Sequence, residues 1–158
     1  MTRTRGHARR KLWPSRTRRT TRGVLANLRR PQTLGQRGEA VAARLLRRKG
    51  YRIVAGARRS RFGEIDLIAV ENKRTVVFVE VKTRRSDRGG LPEETVGHEQ
   101  QQRIAHSALA FLKSHGLLEH PARFDIIAIV WPKDCPRPTS VKHLENAYEP
   151  RGVGGLFG

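Results

Sequence analysis

A chain of 158 residues is the length of one domain with short extensions. Its 33 Lys and Arg against 14 Asp and Glu give a formal net charge of +19, and one cysteine excludes a disulfide framework or a Cys-based zinc site. No apolar run approaches the roughly 20 residues of a membrane helix, and no signal-type apolar segment follows the basic start. The single thiol and the absence of both segments point to a reducing, cytoplasmic setting without a membrane partner.

The charge is uneven. Residues 1–30 hold ten Arg, one Lys and no acid, hence +11, and leave +8 for the rest of the chain. Such an excess favours polyanions through counterion release, so nucleic acid is the expected partner. Without apolar periodicity, residues 1–32 read as a disordered basic arm.

The folded domain is expected over residues 33–132. Thr33 is a plausible N-cap, and Leu34, Val41, Leu45 and Leu46 keep helical spacing up to Lys49, where Gly50 supplies the stop. Tyr51 to Val54 reads as a short strand that runs into the basic stretch containing Arg58, Arg59 and Arg61. Residues 64–70 form a second strand, Glu71 to Arg74 a polar hairpin turn, and residues 75–83 a third strand rich in Val. After a Gly-containing loop a second helix covers residues 94–115, with Ile104, Ala105, Ala108, Phe111 and Leu112 on one face. Residues 124–131 are nearly all apolar, as in a strand buried on both faces. Residues 133–158 read as an irregular tail. The order α-β-β-β-α-β defines an α/β fold with a mixed sheet flanked by helices.

Two of these strands carry acids where apolar residues are the norm. Glu64 and Asp66 are two apart and share one face of the second strand; Glu80 and Lys82 share one face of the third. A hairpin at 71–74 lets the carboxylates of Asp66 and Glu80 converge. Two carboxylates with a backbone carbonyl, such as that of Val81, suit a hard cation, Mg²⁺ or Mn²⁺. Such an ion polarises phosphate and activates water for in-line attack, and Lys82 is placed to orient that water or offset developing charge. An isolated Glu-x-Lys in a strand is more often a solvated ion pair; the apolar character of both strands argues against that here. Arg58, Arg59, Arg61, Arg84 and Arg85 bracket the acidic strands and offer phosphate contacts. Asp125, beside Arg123, reads as a structural salt bridge or cap.

The runs Gly35-Gln36-Arg37-Gly38-Glu39, Gly63-Glu64-Ile65-Asp66-Leu67-Ile68, Phe78-Val79-Glu80-Val81-Lys82-Thr83-Arg84 and Arg123-Phe124-Asp125 resemble YraN-type bacterial proteins, over about residues 34–131. The resemblance implies a restriction-endonuclease-like PD-(D/E)xK core, as in Holliday-junction resolvases. It thereby implies a metal-dependent endonuclease acting on DNA more than RNA, on branched or damaged structure; a nucleic-acid-binding subunit of that fold without catalysis is the alternative. By position it makes Asp66 the metal-binding aspartate, Glu80 the second acid and Lys82 the motif lysine, with Glu39 the helix-borne acid. Gln100 falls where a basic residue is expected near the start of the second helix, and Arg103 is placed to compensate. The proline of the motif is replaced by Ile65. A homodimer stays open.

Overall fold

The computed structural model describes residues 32–56, 65–86 and 96–149. The elements run α1 (Leu34–Arg48), β1 (Arg52–Gly56), β2 (Leu67–Glu71), β3 (Thr75–Arg84), α2 (His98–Ser114), β4 (Ala122–Val130) and β5 (Ser140–Leu144). The expected disordered arm and the basic stretch with Arg58, Arg59 and Arg61 lie outside the described residues, as does Glu64.

The five strands form one sheet in the order β1-β2-β3-β4-β5. Neighbours are antiparallel except β3 and β4, which run parallel with α2 as the crossover. The fold is therefore α/β with a mixed sheet, and the first six elements follow the order expected from the sequence. One expectation is overturned: residues 140–144, assigned to an irregular tail, form the edge strand β5. The cause lies across the ladder: residues 140–144 pair with the apolar β4 from Ile126↔Leu144 to Val130↔Ser140, while Val141 packs on the core and His143 meets Asp125 on the same face.

Local chemistry explains each boundary. Thr33 caps α1 in a capping box: its hydroxyl accepts from the Gln36 N–H, and the Gln36 side chain accepts from the Thr33 N–H. Gly50, at φ +91°, ends that helix in a conformation glycine adopts without strain. Asn72 and Lys73 both take left-handed backbone in the tight β2–β3 turn, closed by Arg74 N–H donating to the Glu71 carbonyl.

The alternation along β3 divides the core. Val77 and Val79 join Leu67, Ala69, Ile127, Ile129 and Trp131 under Ala42, Ala43 and Leu46 of α1. Phe78 faces the other way, packing edge-on against Phe111 of α2 and stacked on Phe124 of β4. At Gly38 the helix α1 touches the sheet so closely that a Cβ would collide with the Thr83 hydroxyl. That contact brings the next residue, Glu39, down toward the sheet.

Candidate active site

Leu67 pairs with Val79 in the antiparallel β2–β3 ladder. Asp66 immediately precedes this pair, in a bend just before β2, while Glu80 follows Val79 on the face of β3 that α2 covers. Asp66 is anchored by the Val81 N–H, which donates to Oδ2 at 2.8 Å. Glu80 is 7% exposed although it is ionisable. Its Oε1 meets two donors, Lys82 Nζ at 2.8 Å and Gln100 Nε2 at 2.8 Å. Gln100 in turn accepts from Lys82 Nζ through Oε1 at 3.0 Å, so the three side chains close a ring. Gln100 occupies the place of the expected basic residue, and an amide there can bridge an acid and an amine at once.

Among the described residues Asp66 has one such donor against several adverse influences. Burial raises its pKa first and the negative charge of Glu80 second; the Val81 N–H opposes them, Glu39 adds a further upward push and Lys82 a downward one. The balance moves it from 3.8 to about 7. Two neighbouring carboxylates, with Lys82 the one cation acting on Asp66 among the described residues, create a demand for positive charge. Hard oxygen donors at such a point fit a divalent cation. Among the described residues, though, no group of three or more His, Cys, Asp and Glu side chains is arranged to hold a metal.

The sequence-selected residues thus divide. Asp66, Glu80, Val81, Lys82 and Gln100 come together, and Glu39 lies within electrostatic reach of Asp66. Arg84 ends β3 two residues beyond Lys82, and Arg85 donates to the Trp131 carbonyl at 3.4 Å. Arg103 is exposed on α2, one turn beyond Gln100. Tyr148 was not selected. It stacks on Phe124 with ring centroids 5.3 Å apart, and burial followed by the charge of Glu80 holds its hydroxyl well above the usual tyrosine range. No sequence pattern singles it out; β5 returns the chain beside β4, where the Ala147 N–H donates to the Phe124 carbonyl.

Asp125 belongs to the opposite face and is fully buried. Arg123 Nε donates to its Oδ1 at 3.0 Å and the Asn146 N–H to the same oxygen at 2.9 Å. His143 Nε2 lies 2.8 Å from Oδ2, while Lys49 Nζ lies 2.9 Å from His143 Nδ1. An ammonium can only donate, so Nδ1 accepts and Nε2 carries the proton toward Asp125. Arg123 continues the network to Glu71 at 2.6 Å and to the Tyr51 hydroxyl at 2.9 Å.

An α/β domain with paired acids, an adjacent lysine and a glutamine bridge defines a class of candidate active-site proteins. Within it the chain belongs to the uncharacterised protein family UPF0102, the YraN-type family, whose model matches residues 38–129. It is 48% identical over 126 residues to a UPF0102 protein of Rhodopirellula baltica, covering 79% of this chain and 75% of that one. Similar relatives include UPF0102 proteins of Geobacter sulfurreducens, 46% identical over 73% of this chain and 88% of that one, and Caldanaerobacter subterraneus, 40% identical over 74% and 95%. The matched stretch holds Glu39, Asp66, Glu80, Lys82 and Gln100, but not Tyr148. No helix among the described residues is long and apolar enough to cross a membrane.

Proposed function

We propose that the chain is a divalent-metal-dependent endonuclease of restriction-endonuclease-like fold, hydrolysing phosphodiester bonds in cytoplasmic DNA of branched or damaged structure. The observation that carries this reading is the proximity of Asp66 and Glu80, with the Asp66 carboxyl driven to about 7 and Lys82 paired with Glu80 beside it. Asp66 and Glu80, with the Val81 carbonyl, are the groups that would hold Mg²⁺ or Mn²⁺. When bound, such an ion supplies Lewis-acid polarisation of phosphate and acidifies water. Lys82 is free to swing from Glu80 toward the scissile phosphate, where its ammonium offsets developing charge. The Glu80–Gln100–Lys82 ring holds that amine in place until substrate arrives. Arg84, Arg85 and Arg103 supply phosphate contacts around the same edge, with Arg58, Arg59 and Arg61 contributing from the β1–β2 connection.

A second reading, a nucleic-acid-binding subunit without catalysis, is favoured by Gln100 in place of a basic residue and by the lack of a third acid or histidine in the described cluster. One assay separates them. Purified protein is incubated with branched, single-stranded and duplex DNA and RNA, in Mg²⁺ or Mn²⁺ against EDTA. The nuclease reading expects metal-dependent cleavage that Asp66→Asn and Glu80→Gln abolish, and that Lys82→Met slows without changing metal affinity. Binding without cleavage on every substrate establishes the second reading; cleavage that persists in Asp66→Asn and in EDTA refutes the first.

A further inference from the structure

Helix α1 carries a second feature that the acidic site does not use. Arg37, Arg44 and Arg48 fall within about 40° of one another around the helix at 3.6 residues per turn. Arg44 and Arg48 are exposed, while Ala42, Ala43 and Leu46 bury the other side. The only acid in α1 is Glu39, and it is turned to the sheet, where its charge acts on Asp66. Nothing on the helix therefore neutralises the line of guanidinium groups.

The line also has a fixed starting point. The Arg37 guanidinium lies 3.9 Å over the Trp131 ring, and Arg85 donates to the Trp131 carbonyl. Trp131 N–H in turn donates to the carbonyl of Arg84, at the end of β3 that carries Lys82. Arg85 and Arg37 are thus held on one buried tryptophan at the margin of the candidate site, and Arg44 and Arg48 lead away from it. From Arg37 to Arg48 the helix rises about 16 Å, the axial span of roughly five phosphates on one strand of duplex DNA.

We infer that this arginine line on α1 is a backbone-contact strip, which binds the phosphates of a nucleic-acid arm extending from the Asp66–Glu80 site. The partner is a polyanion of regular spacing. An anionic membrane fits less well, because the line itself presents no large apolar side chain for insertion. The inference rests on the nucleic-acid-binding part of the proposed function and is independent of cleavage.

The test compares the full-length wild type with Arg44→Glu/Arg48→Glu, titrated onto a fluorescent 30-base-pair duplex in EDTA at several salt concentrations. Each phosphate contact contributes about 0.9 to the slope of log K against log salt, so losing two lowers the slope by about 1.8. At 0.15 M salt this amounts to roughly tenfold to thirtyfold weaker binding, with the two curves converging toward 1 M. An equal charge change on exposed residues of other elements, Lys113→Glu in α2 and Lys142→Glu in β5, is the control and should shift the slope far less. Equal losses in the two doubly substituted proteins reduce the effect to net charge and overturn the strip. So does an unchanged slope in the α1 variant, with circular dichroism and melting confirming that it is folded. Binding to phosphatidylserine vesicles that depends on Arg44 and Arg48, without any effect on DNA, refutes the choice of partner. If the wild type binds no nucleic acid at all, the proposed function fails with it, a result distinct from failure of the strip alone.

Discussion

Two aspartates at the sheet, Asp125 within β4 and Asp66 just before β2, titrate in opposite directions. Asp125, under α1, is fully buried, and burial alone would raise its pKa. Hydrogen bonds from His143, Arg123 and the Asn146 N–H overcome that cost and hold it below the usual carboxylate range. Asp66 keeps some exposure yet rises to about 7: burial raises it first and the charges of Glu80 and Glu39 add to that, against the Val81 N–H and the charge of Lys82. Burial is common to both, so it does not distinguish structure from function. The sign of the surroundings does: an acid ringed by donors holds the fold together, whereas an acid set against another acid stores unfavourable energy that a ligand can release.

The largest effect expected from this contrast is at Asp125. Removing one partner of a buried charge network leaves the others uncompensated, so Asp125→Ala should cost about 3–5 kcal/mol, read by denaturant unfolding. Arg123 would lose two hydrogen bonds and His143 its acceptor. The pH dependence has a definite sign. A carboxyl with a lowered pKa in the folded state contributes stability above its ordinary value of 3.8, and this is lost as pH falls through the lower folded value. Wild type should therefore lose stability in acid more steeply than Asp125→Ala. A loss below 1 kcal/mol for the variant would show that the network is decorative.

Asp66 should behave in the opposite sense. Its folded-state pKa of about 7 exceeds the ordinary 3.8, so between these values the folded chain holds a proton that the unfolded chain has released. In EDTA the resulting stability is complete below about pH 4 and is lost as pH rises to about 7. Asp66→Asn keeps the shape without the charge, and its melting curve should barely differ from wild type at or below about pH 4. By pH 8 the variant should be more stable by about 1–3 kcal/mol, a figure already reduced for the partial exposure of this side chain. Equal stability of the two proteins at pH 8 would mean that the acid pair is not strained.

How much of this was legible beforehand follows the same division. That Asp66 comes near Glu80 could be read from the polar turn that folds β2 back along β3, although Asp66 itself lies in the bend before β2 and not in the strand. The ring through Gln100 could be suspected only from its position on α2; that an amide bridges Glu80 and Lys82 depends on how the helix docks. The Asp125 network was half visible, as Arg123 sits two residues away in the same strand. Its other half, His143, lies on a short strand that has no polar–apolar alternation and follows a proline-containing stretch. Tyr148 was missed for the same reason. Local patterns reveal which face a residue takes, while partners brought from distant strands emerge only with the register.

The smallest expected effect concerns Glu39, which the Gly38–Thr83 contact holds near the sheet. Its charge contributes to raising Asp66, but less than burial or Glu80 does. Glu39→Gln should therefore move the Asp66 midpoint downward, followed by carbon-detected NMR titration in EDTA, and by less than Glu80→Gln moves it. The order of the two shifts is the informative quantity. If Glu39→Gln has the larger effect, the helix acid rather than the strand acid is the chief electrostatic partner of Asp66, and the site is centred nearer α1 than the strand pairing implies. If it has none, Glu39 is a solvated residue near the start of α1, and the carboxylates that demand a cation are Asp66 and Glu80 alone.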